Sequence, residues 1–308
     1  MLRNLKYQSA EKIKGKFDSI KEPAKFWKHK KVLDVGCNEG MLYPILKKLG
    51  AYYTGIDNSD IYIEEAKKNF PEGAFIKADL LKFYGEFDVV LSFSTLHIFD
   101  DDVFDKIVEM YSRMSKTLIL ECPVEGSSPL YHTRSEEHIL GVLRKYFTVA
   151  VCYGVSPSPH DVQSTRKTFR ATRFDVESIE VGIDDIYTMS FGRKMKIAEI
   201  PFVDAVSNIE LYREFLLDNL KKHGHVFGSI RNVEDVNNRV LDFERLIESV
   251  GSGYDGKLEE EPYIYGDWLY GGITAIKTED GYQLIDGHHR SSILIANGVK
   301  ELNLVVFS

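Results

Sequence analysis

Apolar residues in the first half of the chain fall in short runs that alternate with stretches of helical periodicity. Residues 9–20 are amphipathic and end before Pro23, which predicts an N-terminal helix. Further along, β-branched runs predict strands, and apolar residues spaced three and four apart predict helices between them. Such alternation is typical of an α/β fold with a doubly wound, mostly parallel sheet. The predicted strands are 32–35, 51–56, a short one near Phe75, 89–93, 117–121, 148–153 and 169–174, and the predicted helices are 41–49, 61–69, 101–114 and 135–146.

The turn after the first strand has the chemistry of a nucleoside site. Residues 32–40 read Val-Leu-Asp-Val-Gly-Cys-Asn-Glu-Gly, and Gly36 and Gly40 allow the backbone to turn tightly and approach a ligand. The next strand ends at Asp57, 21 residues after Gly36, where a carboxylate can accept hydrogen bonds from ribose hydroxyls. Dinucleotide sites use Gly-x-Gly-x-x-Gly, whereas Cys37 and Asn38 occupy this turn. The pattern therefore favours a sulfonium nucleoside without phosphates.

Residues 30 to about 175 resemble class I S-adenosylmethionine-dependent methyltransferases. The first motif of that family is hydrophobic-hydrophobic-Asp-hydrophobic-Gly-Cys-Gly-x-Gly, and only its middle glycine differs here, where the chain has Asn38. The resemblance implies a Rossmann-like sheet of seven strands with an antiparallel last hairpin, and S-adenosylmethionine as cofactor.

The same resemblance implies roles for individual residues. The backbone from Gly36 to Gly40 would cradle the methionyl end with Asp34 nearby, Asp57 would hold the ribose hydroxyls, and Asp79 would bind the adenine amino group. The cofactor residues expected on this basis are Asp34, Gly36, Cys37, Asn38, Gly40, Asp57, Asn58, Asp79, Leu80 and Ser92.

The segment after the fourth strand bears on the methyl acceptor. Residues 92–97 would line the methyl-transfer face, and His97 is the candidate catalytic base. Methyltransferases acting on base amino groups carry Asn/Asp-Pro-Pro-Tyr/Phe here, but this chain reads Ser-Phe-Ser-Thr, which favours a small-molecule substrate. The long connections 121–134 and 155–168 predict lids or binding loops. Candidate acceptor residues in these two connections are Tyr131, His132, Arg134, His160 and Arg166.

Composition predicts two domains, residues 1–175 and 176–308. The chain has 308 residues, of which 44% are hydrophobic and 28% charged. The first part carries 26 basic against 24 acidic residues and the second 13 against 23, so an acidic second half makes nucleic acid an unfavourable partner.

The absence of a long apolar run or a leader-like segment predicts a cytoplasmic protein with no membrane partner. Three cysteines without Cys-x-x-Cys spacing predict reduced thiols and no metal. The oligomeric state is left open.

Residues 284–292 form a second motif, in which a strand, a glycine turn and a helix start follow one another. Free N–H groups at the helix N-terminus, together with basic and hydroxyl side chains, predict a phosphate-binding nest. In the alternative reading, Ser291 caps the helix and Arg290 pairs with a neighbouring acid. The predicted nucleotide- or phosphate-binding residues are Asp286, Gly287, His288, His289, Arg290 and Ser291.

This motif, Asp-Gly-His-His-Arg, resembles the ParB/sulfiredoxin superfamily, including its free-serine kinases. The likeness covers roughly residues 195–308, with an entry strand at 200–203, a helix at 210–222 and a hairpin before the motif, and it implies a smaller α+β domain. His288 stands where sulfiredoxins need cysteine, which excludes their chemistry. The kinases imply ATP or ADP as ligand and a catalytic carboxylate, for which Glu210 lies near the matching place.

Three functions remain open at this point, and cofactor binding without methylation is a fourth that would be favoured if Asn38 blocked the methionyl site. The first is a small-molecule methyltransferase with a second domain that binds a nucleotide or phosphorylated ligand. The second is a bifunctional methyltransferase and kinase. The third is a methyltransferase gated by a non-catalytic, nucleotide-sensing module.

Overall fold

The computed structural model describes residues 10–124, 132–156, 165–190, 193–227, 229–250, 263–265 and 268–308. The chain divides into two compact units: the first comprises residues 1–174 with 264–267, and the second comprises residues 175–263 with 268–308. The division falls beside the predicted boundary at residue 175. That each unit is an independent domain stays a prediction.

The first unit is built on a seven-stranded sheet in the order β3-β2-β1-β4-β5-β7-β6. Strands β1 to β5 are parallel, and β7 runs antiparallel to both β5 and β6. The predicted Rossmann-like sheet with an antiparallel last hairpin is thereby confirmed. Its elements are α1 (Ala10–Asp18), α2 (Ala24–Trp27), β1 (Lys31–Val35), α3 (Tyr43–Lys48), β2 (Tyr52–Asp57), α4 (Asp60–Asn69), β3 (Ala74–Lys77), β4 (Phe87–Phe93), α5 (Asp101–Met114), β5 (Ser115–Pro123), α6 (Glu136–Tyr146), β6 (Val149–Val155) and β7 (Arg166–Thr172).

The side chains of β1 are buried on both faces of this sheet, which explains why helices cover both faces. Leu33 and Val35 pack into one buried cluster, while Val32 packs into a second one. Successive side chains of a strand point to opposite faces, so a strand that buries consecutive residues must be covered by other elements on both faces. Local caps set where the helices begin: Asp100 accepts a hydrogen bond from the N–H of Val103 at the start of α5.

Among its described residues, the second unit combines a six-stranded sheet, in the order β10-β9-β14-β13-β15-β8, with four α-helices. Neither β8 nor β15 was expected from the sequence, yet they pair along their full length, from Glu301 opposite Gly182 to Phe307 opposite Val176. The elements from residue 176 onward are β8 (Val176–Gly182), β9 (Ile186–Thr188), β10 (Met195–Lys196), α7 (Pro201–Ala205), α8 (Ile209–His223), α9 (Val233–Val250), β11 (Tyr263–Tyr265), β12 (Trp268–Tyr270), β13 (Thr274–Thr278), β14 (Gly281–Leu284), α10 (His288–Ala296) and β15 (Glu301–Phe307).

The expected entry strand at residues 200–203 is wrong. Ile200 is extended and precedes Pro201, which occupies the first turn of α7. Proline suits that position because its ring fixes φ near the helical value and the missing N–H would have no helical partner. Phe202 is therefore buried from a helix and not from a strand. Among the described helices, none is long and apolar enough to cross a membrane.

Gly36 illustrates how tightly the first turn packs. Its φ is +73°, and a Cβ atom built on it would lie 2.3 Å from Thr95 Oγ1. Thr95 cannot move away freely because its hydroxyl donates to the carbonyls of Val35 and Phe93. Both the backbone conformation and the neighbouring side chain thus require glycine.

We expect Gly36→Ala to lower the free energy of unfolding by more than about 1–2 kcal/mol, the cost of the left-handed conformation alone. Gly141→Ala is the matched control, since Gly141 lies in α6 with nothing within 4 Å of the added methyl group. That change should stabilise the protein by roughly 0.5–1 kcal/mol. Denaturant unfolding of both variants measures the difference, and equal effects would contradict the packing described for Gly36.

Candidate active site

A cleft of about 400 Å³ opens where the strand order of the first unit reverses, at the carboxyl ends of β1, β2 and β4. Ligands of doubly wound sheets bind at this kind of switch point. The cleft collects side chains from segments far apart in the chain. Its lining residues are Val35, Gly36, Asn38, Ile56, Asp57, Asn58, Tyr62, Ala78, Asp79, Leu80, Ser94, Thr95, Ile98 and Phe99.

The carboxylate of Asp57 is held in this cleft by two backbone N–H groups. Asn38 donates to Oδ2 at 3.1 Å, and Ser59 donates to Oδ1 at 2.9 Å. Ser59 in turn caps α4 by accepting from the N–H of Tyr62. Each carboxylate oxygen keeps further lone-pair capacity, so the group can accept two more hydrogen bonds from a vicinal diol.

Asn38, the one departure from the family motif, replaces glycine without blocking the turn. Its φ is +47°, a left-handed conformation that asparagine tolerates better than most residues. Its side-chain amide donates to the carbonyl of Gly36 at 2.9 Å, which folds it back onto its own turn. Asn38 therefore lines the cleft and supplies its N–H to Asp57.

A second, smaller cavity adjoins the same turn and shares Gly36, Asn38 and Tyr62 with the cleft. Its other lining residues are Ile13, Asp34, Cys37, Glu39, Met41, Leu42 and Phe93.

Asp34 is a buried carboxyl group that lines the smaller cavity. Tyr53 donates its hydroxyl to Oδ2 at 2.7 Å. Burial raises the pKa of Asp34 from 3.8 to about 7, the Tyr53 hydrogen bond partly opposes that shift, and the Asp57 charge adds to it. A carboxylate in this position gains by pairing with a cationic amine, because a buried anion without such a partner is costly.

The other predicted cofactor residues fall into two groups. Asp79 stands at the cleft, where its Oδ1 accepts from the N–H of Leu81 at 3.0 Å, and Leu80 lines the cleft beside it. Gly40 and Ser92 line neither cavity. Gly40 faces the ring of Phe75, and the Ser92 side chain is fully buried within β4.

Several lining residues were not foreseen as cofactor contacts, and Tyr62, Ile98 and Phe99 are among them. Tyr62 follows the Ser59 cap by three residues, and the Asp-x-Ser pattern at the end of β2 predicts only that it lies in the first turn of α4. Ile98 and Phe99 lie in or just after the single turn of 3-10 helix at Leu96–Ile98, which no periodicity predicts.

The acceptor candidates are dispersed. Arg134 is buried, with Nε donating to Asp101 at 2.8 Å and Nη2 to the carbonyl of Phe99 at 2.6 Å, so it braces the loop after β4. His132 donates its backbone N–H to the carbonyl of His97 at 2.7 Å. His97 itself is half-buried and lines neither cavity. Tyr131 and His160 lie outside the described residues.

In the second unit, the motif residues contact their own protein neighbours. Asp286 Oδ2 accepts from the N–H of Gly271 at 3.0 Å. His288 Nε2 lies 2.7 Å from Thr188 Oγ1 and 3.0 Å from Ser190 Oγ, and burial lowers the pKa of His288 to about 4.

His289 is enclosed by aromatic rings. It stacks on Phe202 with centroids 4.4 Å apart, and Phe227 and Phe243 approach it edge-on. Its Nε2 lies 2.8 Å from the Tyr212 hydroxyl. Burial, and secondly the charge of Arg239, lower the pKa of His289 to about 3. The expected basic imidazole is neutral, because packing removes water from the ring.

The remaining motif residues differ in exposure. Ser291 is fully buried and does not cap α10; the N-cap is Gly287, whose φ of +85° and close approach to the Gly272 carbonyl require glycine. Arg290 is partly buried. Glu210 is exposed at the start of α8, where it pairs with Arg213 at 3.3 Å.

Comparison with known proteins finds relatives of part of the first unit. Residues 32–117 match a protein family described as a methyltransferase domain. Ubiquinone biosynthesis O-methyltransferase of Mesorhizobium japonicum is 33% identical over 102 residues, which are 30% of this chain and 41% of that protein. The chain thus matches less than half of the length of this curated relative. The family match supports the predicted methyltransferase domain over residues 32–117.

Solved structures also resemble the chain. Magnesium protoporphyrin IX methyltransferase from Synechocystis PCC 6803, with bound SAM, has 19% identity and a TM-score of 0.44 over 53% of this chain and 80% of its own. A SAM-dependent methyltransferase from Archaeoglobus fulgidus has 15% identity and a TM-score of 0.45 over 54% of this chain and 95% of its own.

Asp34 generates a prediction about pH. Its pKa is about 7 in the folded protein against 3.8 as the unperturbed value, so the folded state retains a proton that the unfolded state has lost between about pH 4 and 7. Stability contributed by the protonated form is therefore lost as pH rises through this window, by on the order of 4 kcal/mol.

We expect Asp34→Asn to flatten that dependence, so that the variant gains stability relative to wild type as pH rises from 5 to 8. Thermal unfolding of ligand-free protein at both pH values measures it. Glu86→Gln is the control because Glu86 is exposed. Parallel pH profiles for wild type and Asp34→Asn would show that Asp34 is not the buried titrating group.

Proposed function

We propose that the first unit transfers a methyl group from S-adenosylmethionine to a small molecule. The observation that carries the proposal is that six of the ten predicted cofactor residues line one cleft, at the sheet's switch point, within a methyltransferase domain. Those six are Gly36, Asn38, Asp57, Asn58, Asp79 and Leu80.

The two cavities suit the two ends of this cofactor. Asp57 would accept hydrogen bonds from the ribose hydroxyls, and Asp79, which lines the same cleft, would hold the adenine amino group. Asp34 in the smaller cavity would pair with the methionyl ammonium, which would favour its ionised form. When bound, the cofactor supplies an electrophilic sulfonium methyl group. The protein's own residues hold it and align the acceptor.

Oxygen is the acceptor atom that we favour. The relative from Mesorhizobium is named an O-methyltransferase, and the chain reads Ser-Phe-Ser-Thr where base-amino methyltransferases carry a Pro-Pro motif. Small-molecule acceptors, and a cytoplasmic location, follow as parts of the same proposal.

For the second unit we propose a ParB/sulfiredoxin-like domain that binds a nucleotide or another phosphorylated ligand. Support comes from the Asp286–Arg290 motif at the start of α10, where a helix N-terminus presents backbone N–H groups beside a cationic side chain. Neutral, internally hydrogen-bonded His288 and His289 would act as supports rather than as ligand contacts. Kinase chemistry through Glu210 and a purely sensing role remain alternative forms of this proposal.

Asp57→Ala is expected to weaken binding of S-adenosylhomocysteine at least tenfold, about what is lost with one charge-assisted hydrogen bond. Isothermal titration measures the dissociation constant. Asp57→Asn keeps an acceptor oxygen and should fall between wild type and Ala, while Glu86→Gln should match wild type. The methyltransferase proposal fails for this cleft if wild type does not bind the ligand, or if Asp57→Ala binds it equally well.

ADP tests the second unit. A ligand that binds only the folded state raises the melting temperature by mass action, and Arg290→Ala should abolish the rise caused by ADP while leaving that caused by S-adenosylhomocysteine. Lys222→Ala in the last turn of α8 is the control for loss of an exposed cation. No rise with ADP or inorganic phosphate, or a rise insensitive to Arg290→Ala, would refute the phosphate site.

A further inference from the structure

A buried ionic cluster lies beside the cleft of the first unit, and nothing in the proposed cofactor site uses it. It consists of Lys16 from α1, Ser94 after β4, Glu121 of β5 and Arg166 at the start of β7. The three charged side chains are each at most 7% exposed. Ser94 is the member that lines the cleft.

Ser94 is the hub of the cluster. Its hydroxyl accepts from Lys16 Nζ at 2.5 Å and from Arg166 Nη1 at 3.3 Å, and it donates to Glu121 Oε2 at 2.6 Å. Its φ is +54°, a left-handed conformation that is costly for serine. Backbone strain of this kind persists where the surroundings over-determine the conformation, and it concentrates at functional sites.

Glu121 has an unmet hydrogen-bonding requirement. Oε2 contacts Ser94 and lies 3.5 Å from both Lys16 Nζ and Arg166 Nη1. The other oxygen, Oε1, is buried and receives no hydrogen bond among the described residues. A buried carboxylate oxygen without a donor is costly, so a hydroxyl group that reached Oε1 would relieve that cost.

We propose that Glu121 Oε1 receives the hydroxyl group of the methyl acceptor, which makes Glu121 a substrate-binding and catalytic residue; this rests on the proposed methyltransferase function. The cluster's position supports it, since the carboxyl ends of β4 and β5 lie on the edge of the sheet that holds the cleft.

The surrounding charges select a hydroxyl over an amine. Lys16 and Arg166 are both cations, so an acceptor ammonium brought to Glu121 would meet two like charges at short range. The same cations stabilise negative charge as it develops on an oxygen nucleophile.

The transfer step balances without a further reactant. The acceptor O–H bond breaks and its proton passes to Glu121 Oε1. An oxygen lone pair forms the C–O bond to the methyl group, and the electrons of the S–C bond return to sulfur, leaving a neutral thioether. The proton later leaves to solvent.

Calorimetric titration of the protein saturated with S-adenosylhomocysteine tests the proposal, with catechol, 4-hydroxybenzoate and myo-inositol as hydroxyl probes and benzylamine as the cationic comparison. We expect saturable binding of at least one hydroxyl probe and none of benzylamine. Glu121→Ala should weaken that binding at least tenfold without changing S-adenosylhomocysteine affinity, and Glu86→Gln should leave both unchanged.

A second variant keeps the test decisive if Glu121→Ala does not fold. Ser94→Gly removes the hub hydroxyl while suiting the left-handed backbone, so it should fold and still weaken the hydroxyl probe. Folding of every variant is checked by its unfolding transition without ligand. Failure to bind S-adenosylhomocysteine overturns the methyltransferase proposal itself. Two outcomes overturn only the role of Glu121. In the first, S-adenosylhomocysteine binds normally but no hydroxyl probe binds. In the second, a hydroxyl probe binds and neither variant changes its affinity.

Discussion

The hydrogen bond from the N–H of Asn38 to Asp57 joins the turn after β1 to the end of β2, and the rest of the candidate site depends on it. It forms only because Gly36 and Asn38 both adopt positive φ values, which turn the N–H toward the neighbouring strand. Thr95 then occupies the space beside Gly36 and fixes the loop after β4 against the same turn. The carboxyl ends of β1, β2 and β4 are thereby held together at the edge of the cleft.

Much of this arrangement follows from local sequence. Apolar runs separated by helical periods specify the sheet, and the end of each parallel strand specifies which edge its last residues share. Asp57 could be placed at the cleft on that basis, whereas the resemblance to the methyltransferase family was needed to place Asp79. Ser92 could not, because a one-residue shift along a strand moves a side chain to the other face, and the end of an apolar run does not fix that register.

Other expectations from the sequence were wrong because local patterns do not show which residues become neighbours in the fold or how a proline is used. His289 looks basic in a motif next to arginine, yet Phe202 and Tyr212 from α7 and α8 surround it and keep it neutral. The 200–203 segment is a helix because proline suits a first turn, while its apolar character suits helix or strand equally. Lys16 shows the converse, since a lysine in an amphipathic helix is expected in solvent but is buried here.

Buried charge gives the first unit a kind of constraint that apolar packing cannot. Lys16 and Glu22, from the helix and the segment after it, contact Glu121 and Arg170 on neighbouring strands of the sheet. Desolvation offsets much of the attraction in such pairs, so their net stabilisation is small. Their geometry is nonetheless directional, because a hydrogen-bonded ion pair is satisfied at one distance and angle, whereas an apolar contact tolerates sliding. The segment that contains Lys16 and Glu22 is therefore positioned more precisely than it is stabilised, as the alignment of an acceptor at the proposed methyl-transfer site would require.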